Sequence, residues 1–186
     1  MTPDGSQSTD EALASALRRG DDTALDALML RWQVPLRGFL YRHLQNEADA
    51  LDLAQETFVR IYRHRAHYRE GARFSTWMFQ IALNLCRDHV RRRTRRPLVA
   101  LDDTPDPIDG RADPKAATLA AERVTAVRAA IATLPDNLRE PLVLSEYQDL
   151  SHAEIASIVR ATPKAVETRI ARARELLGKK LVRFFK

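Results

Sequence analysis

Residues 97–114 read PLVALDDTPDPIDGRADP, with four prolines, five aspartates and one arginine. Proline removes a backbone donor and closely spaced like charges repel, so this stretch neither continues a helix nor builds a core. It reads as a flexible acidic linker over 97–113. The chain is thereby divided. Residues 1–96 and 114–186 must each fold from their own side chains, and 186 residues suffice for two small domains.

Both halves can do so as helices. Hydrophobic residues make up 45% of the chain and glycine occupies only 6 positions, a composition that favours helix. No long β-branched alternation occurs, so no sheet is expected. The expected class is all-α: an N-terminal helical bundle and a C-terminal helix-turn-helix domain. In the first half, Thr9, Asp10 and Glu11 open a short helix that ends near Gly20. Asp21 and Asp22 open a second, through Leu25, Leu28, Met29 and Trp32; Pro35 is expected to interrupt and kink it before it resumes through Leu36 to Leu44. A third runs from near Glu47 to about Arg63, with Leu53, Ala54, Phe58 and Ile61 inward. Residues 64–73 form a loop containing Gly71. A fourth helix begins near Ser75, repeats Trp77, Met78, Ile81 and Leu85 at helical spacing, and ends in a basic run stopped by Pro97. Beyond the linker, one helix starts near Pro114 and reaches Leu134, and another covers about 138–148.

The sharpest local pattern follows. Ser151-His152-Ala153-Glu154 is a capping box, in which the serine hydroxyl and the glutamate satisfy each other's backbone amides. Ile155, Ala156 and Val159 face inward. Thr162 is an N-cap and Pro163 a favoured first helical residue. In the second helix Val166, Ile170, Ala173 and Leu177 pack inward, which leaves Lys164, Thr168, Ala171, Arg172 and Glu175 outward. Two capped helices this close, the second with a basic outer face, make a helix-turn-helix whose second helix enters the major groove. A plain helical hairpin is the alternative, and repressors, activators and initiation factors all use the motif.

Charge is distributed unevenly. From Arg60 to Arg96 there are eleven arginines and two acids, Glu70 and Asp88. Such a one-sided run suits a polyanion, although general solubility charge is the alternative. Tyr68, Phe74 and Trp77 are interleaved with His64, Arg65, His67, Arg69 and Arg73. Aromatics among arginines suit single-stranded nucleic acid, where bases stack and phosphates pair; Phe74 and Trp77 serve equally as core. Asp49, Asp52 and Glu56 share one sector of the third helix, with Arg60 and Arg63 further along it. Acids early and bases late also suit the helix dipole, so this stripe alone decides nothing.

Several classes are disfavoured. No convergent carboxylate, histidine or cysteine set marks a metal or nucleophile, so no enzyme and no cofactor are expected. The single cysteine, Cys86, allows no internal disulfide and fits a reducing cytoplasm. The start has no apolar core of a signal peptide, and no stretch of about 18 apolar residues could enter a membrane. An autonomous helix-turn-helix regulator would usually pair with itself, and no heptad is present.

At this point the order of motifs resembles a family. Asp49, Asp52, Leu53, Ala54, Gln55, Glu56, Thr57 and Phe58 look like the segment of extracytoplasmic-function sigma factors, of the sigma-70 family, that binds the clamp helices of the polymerase β′ subunit. The run from Phe74 to Asn84, continued by Asp88, Arg91, Arg92 and Arg93, resembles the helix after the loop that recognises the minus-ten element. Leu134 to Leu177 resembles the C-terminal sigma domain that reads the minus-thirty-five element.

The resemblance implies a protein that brings RNA polymerase core to promoters and helps to melt them. Asp49, Asp52, Gln55 and Glu56 would dock on core. His64, Arg65, His67, Tyr68, Arg69, Arg73, Trp77, Asn84, Arg87, Asp88 and Arg91 would contact the minus-ten element, with the loop capturing a base of the melted non-template strand. Ser151, Thr162, Lys164, Thr168, Arg169 and Arg172 would contact the minus-thirty-five duplex, beside the polymerase β flap. The linker would thread toward the active-site cleft, and an anti-sigma factor would mask the polymerase-binding faces. The sequence departs from the family pattern twice: Arg160 stands where the turn often has glycine, and Glu167 where lysine is common.

Overall fold

The computed structural model describes residues 8–95 and 114–182, with side chains outside 114–121. The expected linker at 97–113, Arg96 and the terminal Phe184 and Phe185 lie outside the described residues. Within them the chain forms eight α-helices and no strand.

Four helices build the first half: α1 (Asp10–Arg18), α2 (Thr23–Leu44), α3 (Glu47–Arg63) and α4 (Phe74–Arg95). Local chemistry sets their ends. The Thr9 hydroxyl accepts from the Ala12 amide at 3.2 Å and starts α1. Asn46 Oδ1 accepts from the Asp49 amide at 2.7 Å and starts α3. Asp10 then ties α1 to α2, accepting from Arg31 Nη1 at 2.8 Å and from Trp32 Nε1 at 2.9 Å. Leu28, Leu36, Phe39, Leu40, Phe58, Ile61, Met78 and Phe79 fill the centre. Each such side chain contributes about 1.5–3 kcal/mol by leaving water. The Phe39 and Phe79 rings meet edge to face at 5.0 Å.

Pro35 does not interrupt α2, which continues through it to Leu44. A proline withholds one amide donor. Here the buried Leu36, Phe39 and Leu40 directly beyond it hold the helix in register. The helix stops at Gln45, whose φ of 53° is left-handed.

The second half contains α5 (Pro114–Ala132), α6 (Asp136–Tyr147), α7 (His152–Val159) and α8 (Pro163–Leu181). Leu138, Leu142, Ile155, Val166, Ile170 and Ala173 form its core. The capping box of α7 is present in both directions, with the Ser151 amide donating to Glu154 at 2.8 Å and the Glu154 amide donating back at 3.3 Å. Arg160, in the turn, is left-handed at φ 57° and donates its amide to the Ala156 carbonyl. An L residue pays about 1 kcal/mol or more for that conformation, where glycine would not.

The halves are packed together rather than held apart. Helix α6 lies on α2, and α7 lies on α4. The Arg42 guanidinium sits 3.8 Å from the centre of the Tyr147 ring.

Candidate polymerase and nucleic-acid surfaces

The acidic stripe of α3 is divided in its use. Asp49 lies 3.2 Å from His89 Nε2 and 3.4 Å from Arg93 Nη1, both on α4. Glu56 accepts from Arg60 at 2.9 Å one turn away. Asp52 and Gln55 point to solvent. The same two packed helices expose large apolar side chains: Leu51 and Val59 on α3, and Leu30 and Val34 on α2, the last two 75% and 64% exposed. An ion pair between Arg37 and Glu47 at 3.4 Å bridges the same two helices. Sequence reading did not single out Leu30 and Val34. Their spacing of four, one turn of a helix whose other face is filled, was the available signal.

The loop before α4 contains a single 3-10 turn at Arg65–His67. His64, His67 and Arg69 are exposed. Arg65 stacks on the Tyr62 ring at 4.2 Å and donates to the Tyr62 carbonyl at 2.8 Å. Tyr68 is different. Its side chain is buried, its hydroxyl donates to the Ala72 carbonyl, and its ring packs 5.3 Å from Trp77. Burial, helped by the carboxylates of Glu11 and Asp10, pushes the phenol up to about 12. Tyr68 therefore buttresses the loop in this conformation and offers no open stacking face. Trp77 is half-buried between Tyr68 and Phe74. A cavity of about 670 Å³ lies against this loop, lined by His67, Arg69, Arg73, Trp77 and Gln80 on one side and Glu154 of α7 on the other.

Helix α4, with Arg73 just before it, carries the remaining minus-ten candidates. Asn84 is half-buried. Asp88 accepts from Arg91 at 2.7 Å, and Arg91 is exposed. Arg73 and Arg87 both engage acids of the second half: Arg73 Nη1 lies 2.8 Å from Glu154, and Arg87 grips Glu140 with two nitrogens at 2.9 and 2.6 Å. Burial disfavours the Glu154 carboxylate, but hydrogen bonds from Ser151 and Arg73 outweigh it and hold its pKa below the usual range.

Helix α8 presents the expected outer face. Lys164, Thr168 and Arg172 are exposed, and Arg169 is half-buried. Lys164 pairs with Glu167 at 2.9 Å, which lowers the glutamate's pKa. The Ser151 and Thr162 hydroxyls are engaged as caps, Thr162 accepting from the Ala165 amide at 3.2 Å. No group of three or more histidine, cysteine or carboxylate side chains fit for a metal occurs among the described residues. None of the described helices is long and apolar enough to cross a membrane.

A left-handed turn between two capped helices, with a basic outer face on the second, defines a helix-turn-helix DNA-binding protein built on two helical units. Comparison with known proteins narrows the class. Residues 28–96 match the sigma-70 region 2 family and residues 125–177 the sigma-70 region 4 family. The RNA polymerase sigma-H factor of Pseudomonas aeruginosa is 33% identical over 94% of this chain and 95% of its own. The ECF RNA polymerase sigma-E factor of Haemophilus influenzae is 31% identical over 94% and 96%. Among solved structures, CnrH in complex with the cytosolic domain of CnrY is similar at a TM-score of 0.72 and 30% identity, over 92% of this chain and 96% of that one. The sigma factor RpoE of Bartonella quintana, in complex with the anti-sigma factor NepR, has the same fold at a TM-score of 0.70 and 21% identity, over 84% and 95%. The chain belongs to the extracytoplasmic-function sigma factors of the sigma-70 family. It is a transcription initiation factor that acts with RNA polymerase at promoter DNA.

Proposed function

We propose that the two halves divide promoter recognition between them. Residues 1–96 bind core polymerase and the minus-ten element, residues 114–186 bind the minus-thirty-five element, and 97–113 connect them. The observation that carries this reading is the order of three surfaces on one chain: acids of α3 with exposed apolar residues on α2 and α3, arginines along α4, and the outer face of α8.

Asp49, Asp52, Gln55 and Glu56 dock on the β′ clamp helices, with Leu30, Val34, Leu51 and Val59 supplying the apolar contact that acids alone lack. The loop at 64–72 takes an unstacked base of the non-template strand beside Trp77, a contact worth about 1–3 kcal/mol. That capture favours melted DNA without ATP. Arg73, Asn84, Arg87, Asp88 and Arg91 hold the adjoining strand. Lys164, Thr168 and Arg172 face the major groove of the upstream duplex, near the β flap, with Arg169, Ser151 and Thr162 at its phosphate edge.

The protein does no covalent chemistry itself and works in the cytoplasm without a cofactor. An anti-sigma partner holds it in check, a reading supported by the solved complexes of CnrH with the cytosolic domain of CnrY and of RpoE with the anti-sigma factor NepR.

The test is transcription by bacterial core polymerase from a genomic promoter library. Start sites that appear only with this protein are expected, and Asp52→Ala with Glu56→Ala should lower core affinity and transcription together. A folded protein that directs no start site with active core would sink the reading. Tight binding to duplex DNA without core would point instead to an autonomous regulator.

A further inference from the structure

Helix α5 turns Val124, Val127, Arg128 and Ile131 to one side, at the i, i+3, i+4, i+7 spacing of a single helix face. With Arg42 of α2 and Tyr147 of α6 this face lines a cavity of about 390 Å³. Ile131 is buried, whereas Val124 and Tyr147 remain 48% and 42% exposed, so the apolar wall is open to water. A second cavity of about 340 Å³ shares Val127, Ile131 and Tyr147 with the first and adds Leu142 and Leu177. The acid on its wall, Glu146, is already held by Arg174 at 3.0 and 2.6 Å. The arginines of the first cavity are held differently. Arg42 lies 3.8 Å from the centre of the Tyr147 ring and Arg128 lies 5.6 Å from that of Tyr41, so each half lends an arginine to the other's tyrosine. Among the described residues neither arginine is in an ion pair. A ring face attracts a cation but leaves its charge in place. Gly38, one turn before Arg42, makes the room: a Cβ there would lie 2.9 Å from Arg42 Nη1.

We infer that this cavity binds a small amphiphile with one anionic head: a carboxylate or phosphate held by Arg42 and Arg128, and an aliphatic tail laid on Val124, Val127 and Ile131. Sites for small ligands have this make-up. They are mostly apolar with a few placed polar groups, measure roughly 300–1,000 Å³, and favour the boundary between domains. The planar fork of arginine suits either head group. A bare anion would leave the apolar wall wet, and a cationic amphiphile would meet two uncompensated positive charges. The second cavity gives a longer tail somewhere to go. None of the residues that line the site was assigned to polymerase or DNA above, so the inference does not rest on those assignments. The ligand touches α2 of one half and α5 and α6 of the other, so it binds the packed chain and stabilises it by mass action.

The test is titration calorimetry of the full chain with decanoate, beside hexanoate, octanoate, decyl phosphate, inorganic phosphate and decyltrimethylammonium. Affinity should rise about fourfold with each added methylene along the carboxylate series. The tighter of decanoate and decyl phosphate identifies the head group. R42Q/R128Q should weaken binding of that ligand at least tenfold. R18Q/R19Q removes the same charge at the end of α1 and should leave the affinity unchanged. V124E sets a carboxylate on the half-exposed wall and should also weaken binding at least tenfold, with the helical circular dichroism intact. V124E carries the test alone should R42Q/R128Q lose helicity.

No heat from either decanoate or decyl phosphate up to millimolar concentration would overturn the site. So would equal binding of decyltrimethylammonium, or an affinity that neither R42Q/R128Q nor V124E moves. Inorganic phosphate bound as tightly as decyl phosphate would overturn the role of the apolar wall.

Discussion

His43 makes the folded chain acid-sensitive, by an amount that follows from its surroundings. It sits in the last turn of α2, buried, with its ring 4.5 Å from that of Phe39. Its Nδ1 lies 3.0 Å from the Phe39 carbonyl and donates to it, while Nε2 is enclosed with no partner. The facing charges are Arg139 and Asp136 on α6 and Arg87 on α4. Burial lowers its pKa from 6.5 to about 4; the Phe39 carbonyl and Asp136 oppose this, and Arg139 and Arg87 add to it. A proton therefore prefers the unfolded chain. Stability is complete above about pH 6.5 and falls as the pH drops toward 4. The full penalty is about 3 kcal/mol, from about 1.4 kcal/mol per pH unit, and close to 2 kcal/mol of it is present at pH 5. Other carboxylates titrate in the same range, so the effect must be read as a difference. His43→Leu removes the proton site and the unpartnered nitrogen together. Urea unfolding of both proteins at pH 7.5 and pH 5 should show the wild type losing about 2 kcal/mol more than the variant. A difference that stays flat across that range would refute a buried neutral imidazole.

Other positions yield sharper single outcomes. Arg160→Gly relieves the left-handed residue of the turn and should raise stability by about 0.5–1 kcal/mol in thermal unfolding, since glycine's gain in that geometry exceeds its extra chain entropy. Leu30→Asp with Val34→Asp, at exposed sites, should leave the melting temperature nearly unchanged yet weaken binding to core polymerase at least tenfold in a pull-down titration. Cys86 is buried, and that burial pushes its thiol up to about 12; alkylation by iodoacetamide at pH 8 should be slow in the folded chain and rapid in urea.

Local chemistry was the legible part. The starts of α3, α7 and α8 follow from caps three residues from their partners, Asn46, Ser151 and Thr162, and such short-range pairs are written in adjacent letters. Pro35 misled because the rule for a proline inside a helix counts the lost donor and not the core that holds the next turn. Arg160 posed a choice between avoiding the left-handed region and tolerating its cost, and it tolerates it. Tyr68 and Trp77 were ambiguous, since an aromatic ring serves a core and a stacking face equally well until its neighbours are known. The seam between the halves left no trace. Arg87 and Glu140 are 53 positions apart, and Arg73 and Glu154 are 81 apart. Periodicity says which face of a helix needs a cover; it does not say which helix supplies it.

Asp49 gives the two sides of the N-terminal half a shared account. Its carboxylate belongs to α3, yet the groups beside it, His89 and Arg93, belong to the basic end of α4. A partner that takes Asp49 from the α3 side releases His89 and Arg93 on the other. Linkage makes the effect mutual: a polyanion that draws Arg93 away leaves Asp49 free to be engaged, by the same free energy. Thus, on the proposed assignments, one carboxylate only 26% exposed would couple the polymerase face of α3 to the nucleic-acid face of α4.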